Sequence, residues 1–332
     1  MTILVTGGAG YIGSHMVHEL LDTGEPVVVL DNLSTGFRFL VPSSVPFVAG
    51  STGDSELVAK TIAHYRVSAI IHFAASIMVP ESVSNPLGYY RNNTMNTCNL
   101  LGVAIEAGVK QLIFSSTAAV YGNATAAPVR EDAPTVPISP YGSSKLMSEI
   151  MLHDAGKAYG LRFVVLRYFN VAGADPKLRT GQATASATHL IKVACEAALG
   201  KRPRIDVFGT DYPTPDGTCI RDYIHVSDLA RAHSAALAYL RRGGGNATFN
   251  CGYGRGSSVL EVIDAVRRVS GNDFPVQIAD RRAGDPSMLV AIVDRIRSTL
   301  PWRPQFQDLD TIVAHAYAWE KRLPGKRVTS AA

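Results

Sequence analysis

A glycine-rich turn near the N-terminus constrains the fold more than any other feature of the sequence. Thr6-Gly7-Gly8-Ala9-Gly10-Tyr11-Ile12-Gly13 directly follows a short apolar run and opens an amphipathic stretch. Glycines three positions apart allow a tight turn, a close approach of the backbone to a pyrophosphate, and close packing of a helix on a strand. The helix N-terminus supplies positive potential to such an anion. The turn therefore predicts the strand–turn–helix unit of a dinucleotide-binding fold.

Short apolar runs alternate with longer amphipathic stretches through the first half of the chain. The runs occupy residues 3–6, 27–30, 69–73, 111–115 and 163–167. Their nearly continuous hydrophobicity is typical of parallel strands that helices cover on both faces. The stretches between them are long enough for crossover helices, as at residues 13–23 and 92–108. We therefore predict an α/β fold with a Rossmann-like doubly wound parallel sheet.

An acidic residue ends the second predicted strand. Asp31 stands 18 positions after Gly13, where a carboxylate accepts hydrogen bonds from a ribose diol and repels a 2′-phosphate. NAD is therefore the expected cofactor, and the alternative is that Asp31 only forms a turn.

The texture of the sequence changes after Asn170, where proline and glycine become frequent and the apolar runs shorten. We predict an NAD-binding Rossmann domain over residues 1–170, to which a segment of about 222–250 returns. A smaller C-terminal α/β substrate domain is predicted over residues 171–221 and 251–332.

Tyr141 and Lys145 lie four residues apart, a spacing that puts both on one face of a helix. A phenol titrates near pH ~10, and a nearby cation favours its anion. The pair is therefore predicted to make Tyr141 a base that acts on an alcohol. The predicted strand that begins at Gln111 ends in Ser115-Ser116-Thr117. The Thr117 hydroxyl could bind the same substrate oxygen there, and the alternative is a purely structural turn.

Composition restricts the class of protein. The chain has 332 residues, 46% hydrophobic and 18% charged, with a net charge of +4 and scattered basic residues. These values are typical of a globular enzyme and predict no nucleic-acid partner. No run of ~18 apolar residues and no basic, apolar leader occurs, so we expect a cytoplasmic protein without a membrane span. The cysteines are far apart and are predicted to be buried thiols, not a metal site: Cys98, Cys195, Cys219 and Cys251.

Three of these motifs together resemble the extended short-chain dehydrogenase/reductase family: residues 6–13, 115–122 and 141–145. Further segments are similar to the UDP-glucose 4-epimerases within that family, and they span nearly the whole chain in the order that the family requires. They are residues 11–15, 31–33, 89–93, 139–146, 166–170, 211–214, 216–218 and 221–226.

The resemblance implies an isomerase that interconverts UDP-glucose and UDP-galactose with NAD. The steps it implies are transient oxidation at sugar carbon 4, rotation of the 4-keto intermediate and hydride return. It makes Tyr141 the base, Lys145 a ligand of the nicotinamide ribose and Thr117 a partner of the reacting hydroxyl. It also implies a homodimer.

The resemblance extends to the binding residues. The expected NAD contacts are Gly7, Gly10, Tyr11, Ile12, Gly13, Asp31, Asn32, Phe73, Ala74, Asn92, Tyr141, Lys145 and Tyr168. The expected UDP-hexose contacts are Thr117, Tyr141, Asn170, His189, Leu190, Val207, Phe208, Arg221, Arg282 and Asp285.

Several positions depart from the family pattern. Ile77 replaces a lysine near the nicotinamide, Ser51 an aspartate near adenine, and His189 an asparagine near the phosphates. Leu289 stands at the position that limits pocket size. These departures leave N-acetylated, pentose and uronic UDP-sugars open as alternative substrates.

Two other functions remain as alternatives. Sugar-nucleotide dehydratases and decarboxylases of resembling families carry a carboxylate directly after the strand-end Ser/Thr, whereas residues 118–122 here contain none. A non-catalytic NAD(H)-binding protein would need the glycine turn but not Thr117, Tyr141 and Lys145 together.

Overall fold

The structure, a computed structural model, describes residues 2–123, 128–184, 187–282 and 284–323. Residues 324–332 of the predicted substrate domain lie outside them. The strands of the described residues are β1 (Thr2–Thr6), β2 (Val27–Asp31), β3 (Phe47–Ala49), β4 (Val67–His72), β5 (Gln111–Thr117), β6 (Arg162–Tyr168), β7 (Asn170–Ala172), β8 (Ile205–Phe208), β9 (Ile220–Arg221), β10 (Tyr223–His225), β11 (Ala247–Cys251), β12 (Ser257–Ser258), β13 (Val276–Ala279) and β14 (Met288–Leu289).

Helices fill most of the connections. They are α1 (Tyr11–Asp22), α2 (Ser55–Tyr65), α3 (Val79–Ser84), α4 (Pro86–Tyr89), α5 (Asn96–Glu106), α6 (Pro140–Tyr159), α7 (Leu190–Ala198), α8 (Val226–Arg241), α9 (Val259–Ser270), α10 (Asp294–Thr299) and α11 (Leu309–Arg322). A π-helical segment, Tyr90–Met95, joins α4 to α5, and a 3₁₀ turn, Ala118–Tyr121, follows β5.

The main sheet is parallel throughout its described strands, in the order β3–β2–β1–β4–β5–β6–β11. This order confirms the predicted doubly wound fold. The direction of winding reverses between β1 and β4, and the crevice outside the carboxyl ends of the strands at such a point is where ligands bind.

Alternate residues of the strands enter two separate cores. Ile3 and Val5 of β1 pack with helices α1 and α8 on one face of the sheet. Leu4, between them, packs with α2, α5 and α6 on the other face. Both faces of the strands are therefore buried, which explains the nearly continuous apolar runs.

Small sheets follow residue 170. β7 pairs with β10, β8 pairs with β13, and β9 lies between β12 and β14. The Leu289↔Arg221 register of β14 and β9 and the Phe208↔Ala279 register of β8 and β13 bring distant segments together. The small sheets carry the predicted substrate residues Val207, Phe208 and Arg221.

Cys98 departs from the prediction of buried thiols. Its position on the outer face of α5 leaves it exposed, whereas Cys195, Cys219 and Cys251 are buried. Among the described residues, no helix is both long and apolar enough to cross a bilayer.

Candidate active site

The glycine turn is built from close backbone contacts. Gly7 has φ +71°, and a Cβ there would lie 2.6 Å from the amide nitrogen of Ala74. A Cβ on Gly13 would lie 2.1 Å from the carbonyl oxygen of Gly7. Helix α1 then begins without a side-chain cap at Gly10, so the amide groups of its first turn remain available to an anion. The turn fits a pyrophosphate.

Asp31 fastens the glycine turn to the end of β2. Its Oδ2 accepts a hydrogen bond from the Ala9 amide at 2.9 Å, and its Oδ1 accepts one from the Leu33 amide at 2.8 Å. Burial raises the pKa of Asp31, while both amides act to lower it. Each carboxylate oxygen keeps further acceptor capacity, which fits a ribose diol. Asn32, next along the chain, is exposed.

The π-helical segment connects the cofactor side of the crevice to α6. Asn93 accepts from the Ser76 amide at 2.7 Å and donates to the Ser76 carbonyl at 2.9 Å and to Ser144 Oγ at 3.0 Å. Asn92 donates to Ser76 Oγ at 2.9 Å. Sequence reasoning singled out Asn92 and missed Asn93. Two adjacent asparagines inside a helical stretch were the available indication, since asparagine is a poor helix former.

The remaining cofactor candidates lie at the carboxyl ends of strands of the main sheet and at the start of α1. Phe73 and Ala74 directly follow β4, and the Phe73 ring lies 4.8 Å from the ring of His233. Tyr11 donates its hydroxyl to the Gly173 carbonyl at 2.7 Å, which ties α1 to the segment after β7. The predicted positions Ile12 and Tyr168 are partly buried, at the start of α1 and the end of β6.

Helix α6 carries Tyr141 and Lys145, and its N-terminus is capped. Ser139 caps it by accepting the Gly142 amide at 3.2 Å, and Pro140 occupies the first turn, where it has no amide to satisfy. Tyr141 and Lys145 are both buried. The Lys145 ammonium donates to the Ser115 carbonyl at 3.0 Å. Thr117, at the end of β5, accepts the Ala119 amide at 3.1 Å.

The electrostatics of the phenol differ from the sequence prediction. Burial raises the pKa of Tyr141, the nearby phenols of Tyr168 and Tyr89 raise it further, and the Thr117 side chain lowers it. Spacing alone predicted that Lys145 would lower it. In the structure burial dominates, because the ammonium is directed to the Ser115 carbonyl and is itself desolvated. Burial lowers the pKa of Lys145 to about 8, against the opposing effect of Glu149.

Two arginines meet on the substrate side. The guanidinium carbon of Arg282 lies 3.7 Å from the centre of the Phe208 ring, and Arg221 Nη2 lies 3.7 Å from Asp285 Oδ1. The Asp285 amide donates to the Arg282 carbonyl at 3.3 Å, so the two pairs adjoin. Planar cationic groups in this arrangement suit a diphosphate. Val207 is buried in the core, so only its backbone is available to a ligand.

A second group of substrate candidates lines a cavity of about 20 Å³, large enough for a water molecule. Asn170, His189 and Leu190 all border it. His189 Nδ1 lies 2.9 Å from Gln182 Nε2, and burial lowers the pKa of the imidazole, which favours its neutral form. The other two departures, Ile77 and Ser51, do not line this cavity, and Ile77 is exposed.

Comparison with known proteins also relates this chain to NAD dependent enzymes. Residues 3–252 match the NAD dependent epimerase/dehydratase family. A UDP-glucose 4-epimerase of Azospirillum brasilense is 62% identical over 321 residues, covering 97% of this chain and 92% of the relative.

Two solved structures extend the comparison to three dimensions. UDP-glucose 4-epimerase from Brucella ovis in complex with NAD is 45% identical, with a TM-score of 0.93 over 96% of this chain and 97% of that one. The UDP-Glc/GlcNAc 4-epimerase from Campylobacter jejuni is 49% identical, with a TM-score of 0.85 over 97% of this chain and 99% of that one. This chain belongs to the NAD dependent epimerase/dehydratase family.

Proposed function

We propose that this chain is an isomerase that interconverts UDP-glucose and UDP-galactose with NAD as its resident cofactor. The observation that carries the proposal is the proximity of Thr117, at the end of β5, to Tyr141, in the first turn of α6, which is close enough for the Thr117 side chain to lower the pKa of the phenol. The glycine turn follows β1, at the same carboxyl edge of the parallel sheet as the end of β5. The 62% identity to a UDP-glucose 4-epimerase supports the choice of substrate.

Tyr141 is the proposed acid–base group. Its phenolate takes the proton of the sugar 4-hydroxyl, and its phenol returns a proton to the same oxygen after inversion. Thr117 holds that oxygen by a hydrogen bond. NAD held by the glycine turn and Asp31 would supply reversible hydride transfer at carbon 4 of the sugar, on either face of the 4-keto ring.

The residues around Tyr141 are proposed to bind the cofactor and to supply positive charge near the phenol. Gly7, Gly10 and Gly13 receive the pyrophosphate, and Asp31 binds the ribose diol. Lys145 binds the nicotinamide ribose and adds positive charge to a crevice in which burial disfavours the phenolate.

The substrate residues are proposed to hold the UDP part of the substrate more tightly than the sugar. Arg221 and Arg282 hold the diphosphate, and the stacking of Arg282 on Phe208 orients its guanidinium. Asn170, His189 and Leu190 complete the nucleotide side. Binding free energy from the non-reacting UDP retains the keto sugar while its ring turns over.

A two-domain division is part of the proposal. Residues 1–170 and about 222–250 form the NAD-binding part, and residues 171–221 and 251–332 form the substrate part. The position of β11 beside β6 in the main sheet supports the return segment. The described cysteines form no disulfide, as is usual in a reducing compartment, and this supports a cytoplasmic location.

The test is direct. UDP-galactose incubated with the purified protein should give UDP-glucose by chromatography, with NAD quantified in the same sample. UDP-GalNAc, UDP-xylose and UDP-galacturonate form the comparison panel, because Leu289 is partly buried beside Arg221 and bears on sugar size. If NAD is bound and none of the four is epimerised, the proposed substrate class is wrong.

A homodimer is proposed through the outer faces of α5 and α6. Met95, directly before α5, is 63% exposed, and Met147 and Ile150 on α6 are 44% and 53% exposed. Large apolar side chains clustered on neighbouring helices are typical of an interface.

Ile150→Glu should dissociate such a dimer, since a charge at a buried interface position costs at least about 2 kcal/mol. Light scattering should give twice the chain mass of 35.5 kDa for the unaltered protein and the chain mass for the variant. Ile278→Glu, at a 54% exposed position on β13, is the matched control and should leave the mass unchanged. A monomeric unaltered protein would contradict the proposal.

A further inference from the structure

A buried ion pair lies behind the end of β5. Glu149 on α6 is 2% exposed and Arg167 on β6 is 7% exposed. Arg167 Nη2 donates to Glu149 Oε2 at 2.6 Å, and Arg167 Nε donates to both carboxylate oxygens at 3.1 Å. The carboxylate also accepts from Ser116 Oγ. The pair takes no part in the proposed proton and hydride transfers.

The pair anchors the chain on both sides of Thr117. Ser116, the preceding residue, donates to Glu149. Tyr121, which ends the 3₁₀ turn after Thr117, accepts from Arg167 Nη1 at 3.0 Å and donates to Asn250 Oδ1 at 2.7 Å. The Thr117 hydroxyl is therefore held between two fixed neighbours.

Glu149 also faces Lys145. It follows Lys145 by four residues on α6 and so lies on the same helix face, and its charge acts to raise the pKa of the ammonium. The titratable and charged groups around Lys145 come from four elements. They are Tyr141 and Glu149 on α6, His72 on β4, Arg167 and Tyr168 on β6, and His233 on α8, which contacts Ser115.

We propose that Glu149, together with Arg167, is a positioning residue for the reaction. It fixes Thr117 opposite Tyr141 and places a negative charge one helical turn from the Lys145 ammonium. The inference rests on the proposed function. Glu149 is the described carboxylate that both joins β5 to α6 and faces the lysine. One side chain therefore affects both the position of the Thr117 hydroxyl and the charge at Lys145.

Three variants test this role. Glu149→Gln keeps the shape and removes the charge. Glu149→Met/Arg167→Met removes the whole pair at similar volume, a change that often leaves a protein as stable as before, and it decides the question where the single variant fails to fold. Asp154→Asn removes an exposed carboxylate from the same helix and is the matched control.

Two measurements separate positioning from stability. The first is the pH profile of turnover with UDP-galactose. Burial lowers the pKa of Lys145 to about 8, so turnover should fall as pH rises through that value. Without Glu149 the pKa falls further, and the decline should begin roughly one pH unit lower. At pH 8, kcat should fall roughly tenfold or more, with KM nearly unchanged.

The second measurement is the titration of the Lys145 ¹³Cε resonance in the NAD-bound enzyme, assigned by its loss in Lys145→Met. An acidward shift in Glu149→Gln, with none in Asp154→Asn, supports the proposal. An unchanged titration in a folded Glu149→Gln protein overturns it, as does a double variant with the unaltered kcat and pH profile. The titration needs no turnover, so a failure of the epimerase assay would count against the proposed function alone.

Discussion

Tyr141→Phe is expected to lower turnover of UDP-galactose by roughly 10²–10⁴-fold, the usual contribution of a positioned acid–base group. The change removes one oxygen from a buried ring and leaves its packing in place. None of the close backbone contacts of the glycine turn involves Tyr141. The variant should therefore keep its NAD and lose its chemistry.

The pH profile gives the same variant a second readout. Burial raises the pKa of Tyr141, so only a small fraction of the ring is phenolate near neutral pH, and this fraction grows as pH rises. Turnover of the unaltered protein should therefore rise with pH up to the titration of Lys145 near pH 8. Thr117 lowers the pKa of Tyr141, and Thr117→Ala should therefore move the rising limb to higher pH. In Tyr141→Phe the limb should disappear.

Tyr159→Phe is the matched control for the loss of a phenol oxygen. Tyr159 ends the same helix and is 63% exposed, so turnover should stay at the unaltered rate. Near-normal turnover in Tyr141→Phe with NAD bound would show that another group takes the proton.

The main sheet was predictable from sequence because its strands are buried on both faces. Burial of this kind leaves a nearly continuous apolar run, as at Leu112–Phe114 in β5, which local patterning detects. The start of α6 could also be predicted from adjacent residues, since Ser139 and Pro140 are typical of a helix N-terminus. Pairings such as β8 with β13 join residues 205 and 276, and no local pattern marks them.

The candidate site was predictable in its residue types and not in its electrostatics. Spacing put Lys145 on the face of Tyr141, but burial, which depends on the whole fold, sets the pKa of the phenol. Asn93 and Glu149 were missed because their partners come from other elements of the fold. Arg221 and Arg282 were assigned only through the family resemblance, and the small sheets explain how segments so far apart along the chain meet.

Gly13→Ala is expected to weaken NAD binding by at least roughly tenfold to a hundredfold. The new Cβ would lie 2.1 Å from the Gly7 carbonyl oxygen. This oxygen belongs to the backbone, and Gly7 is held in place by the hydrogen bond that its amide donates to the Leu30 carbonyl at 2.8 Å. Relief of the clash needs a displacement of about 1 Å between the turn and α1, enough to misplace the amides that face the pyrophosphate. The measurements are NAD retained per chain after gel filtration and the unfolding temperature with and without added NAD.

The sign of the stability change makes this prediction specific. Inside an ordinary exposed helix, glycine to alanine stabilises by about 1 kcal/mol, whereas at Gly13 the steric conflict should lower stability and cofactor content together. Gly245→Ala is the control, because a Cβ there meets nothing within 4 Å and the backbone is outside the left-handed region. A Gly13→Ala protein with full NAD content would mean that the turn accommodates the new Cβ without loss of cofactor binding. The close packing of strand and helix would then not be what selects glycine at this position.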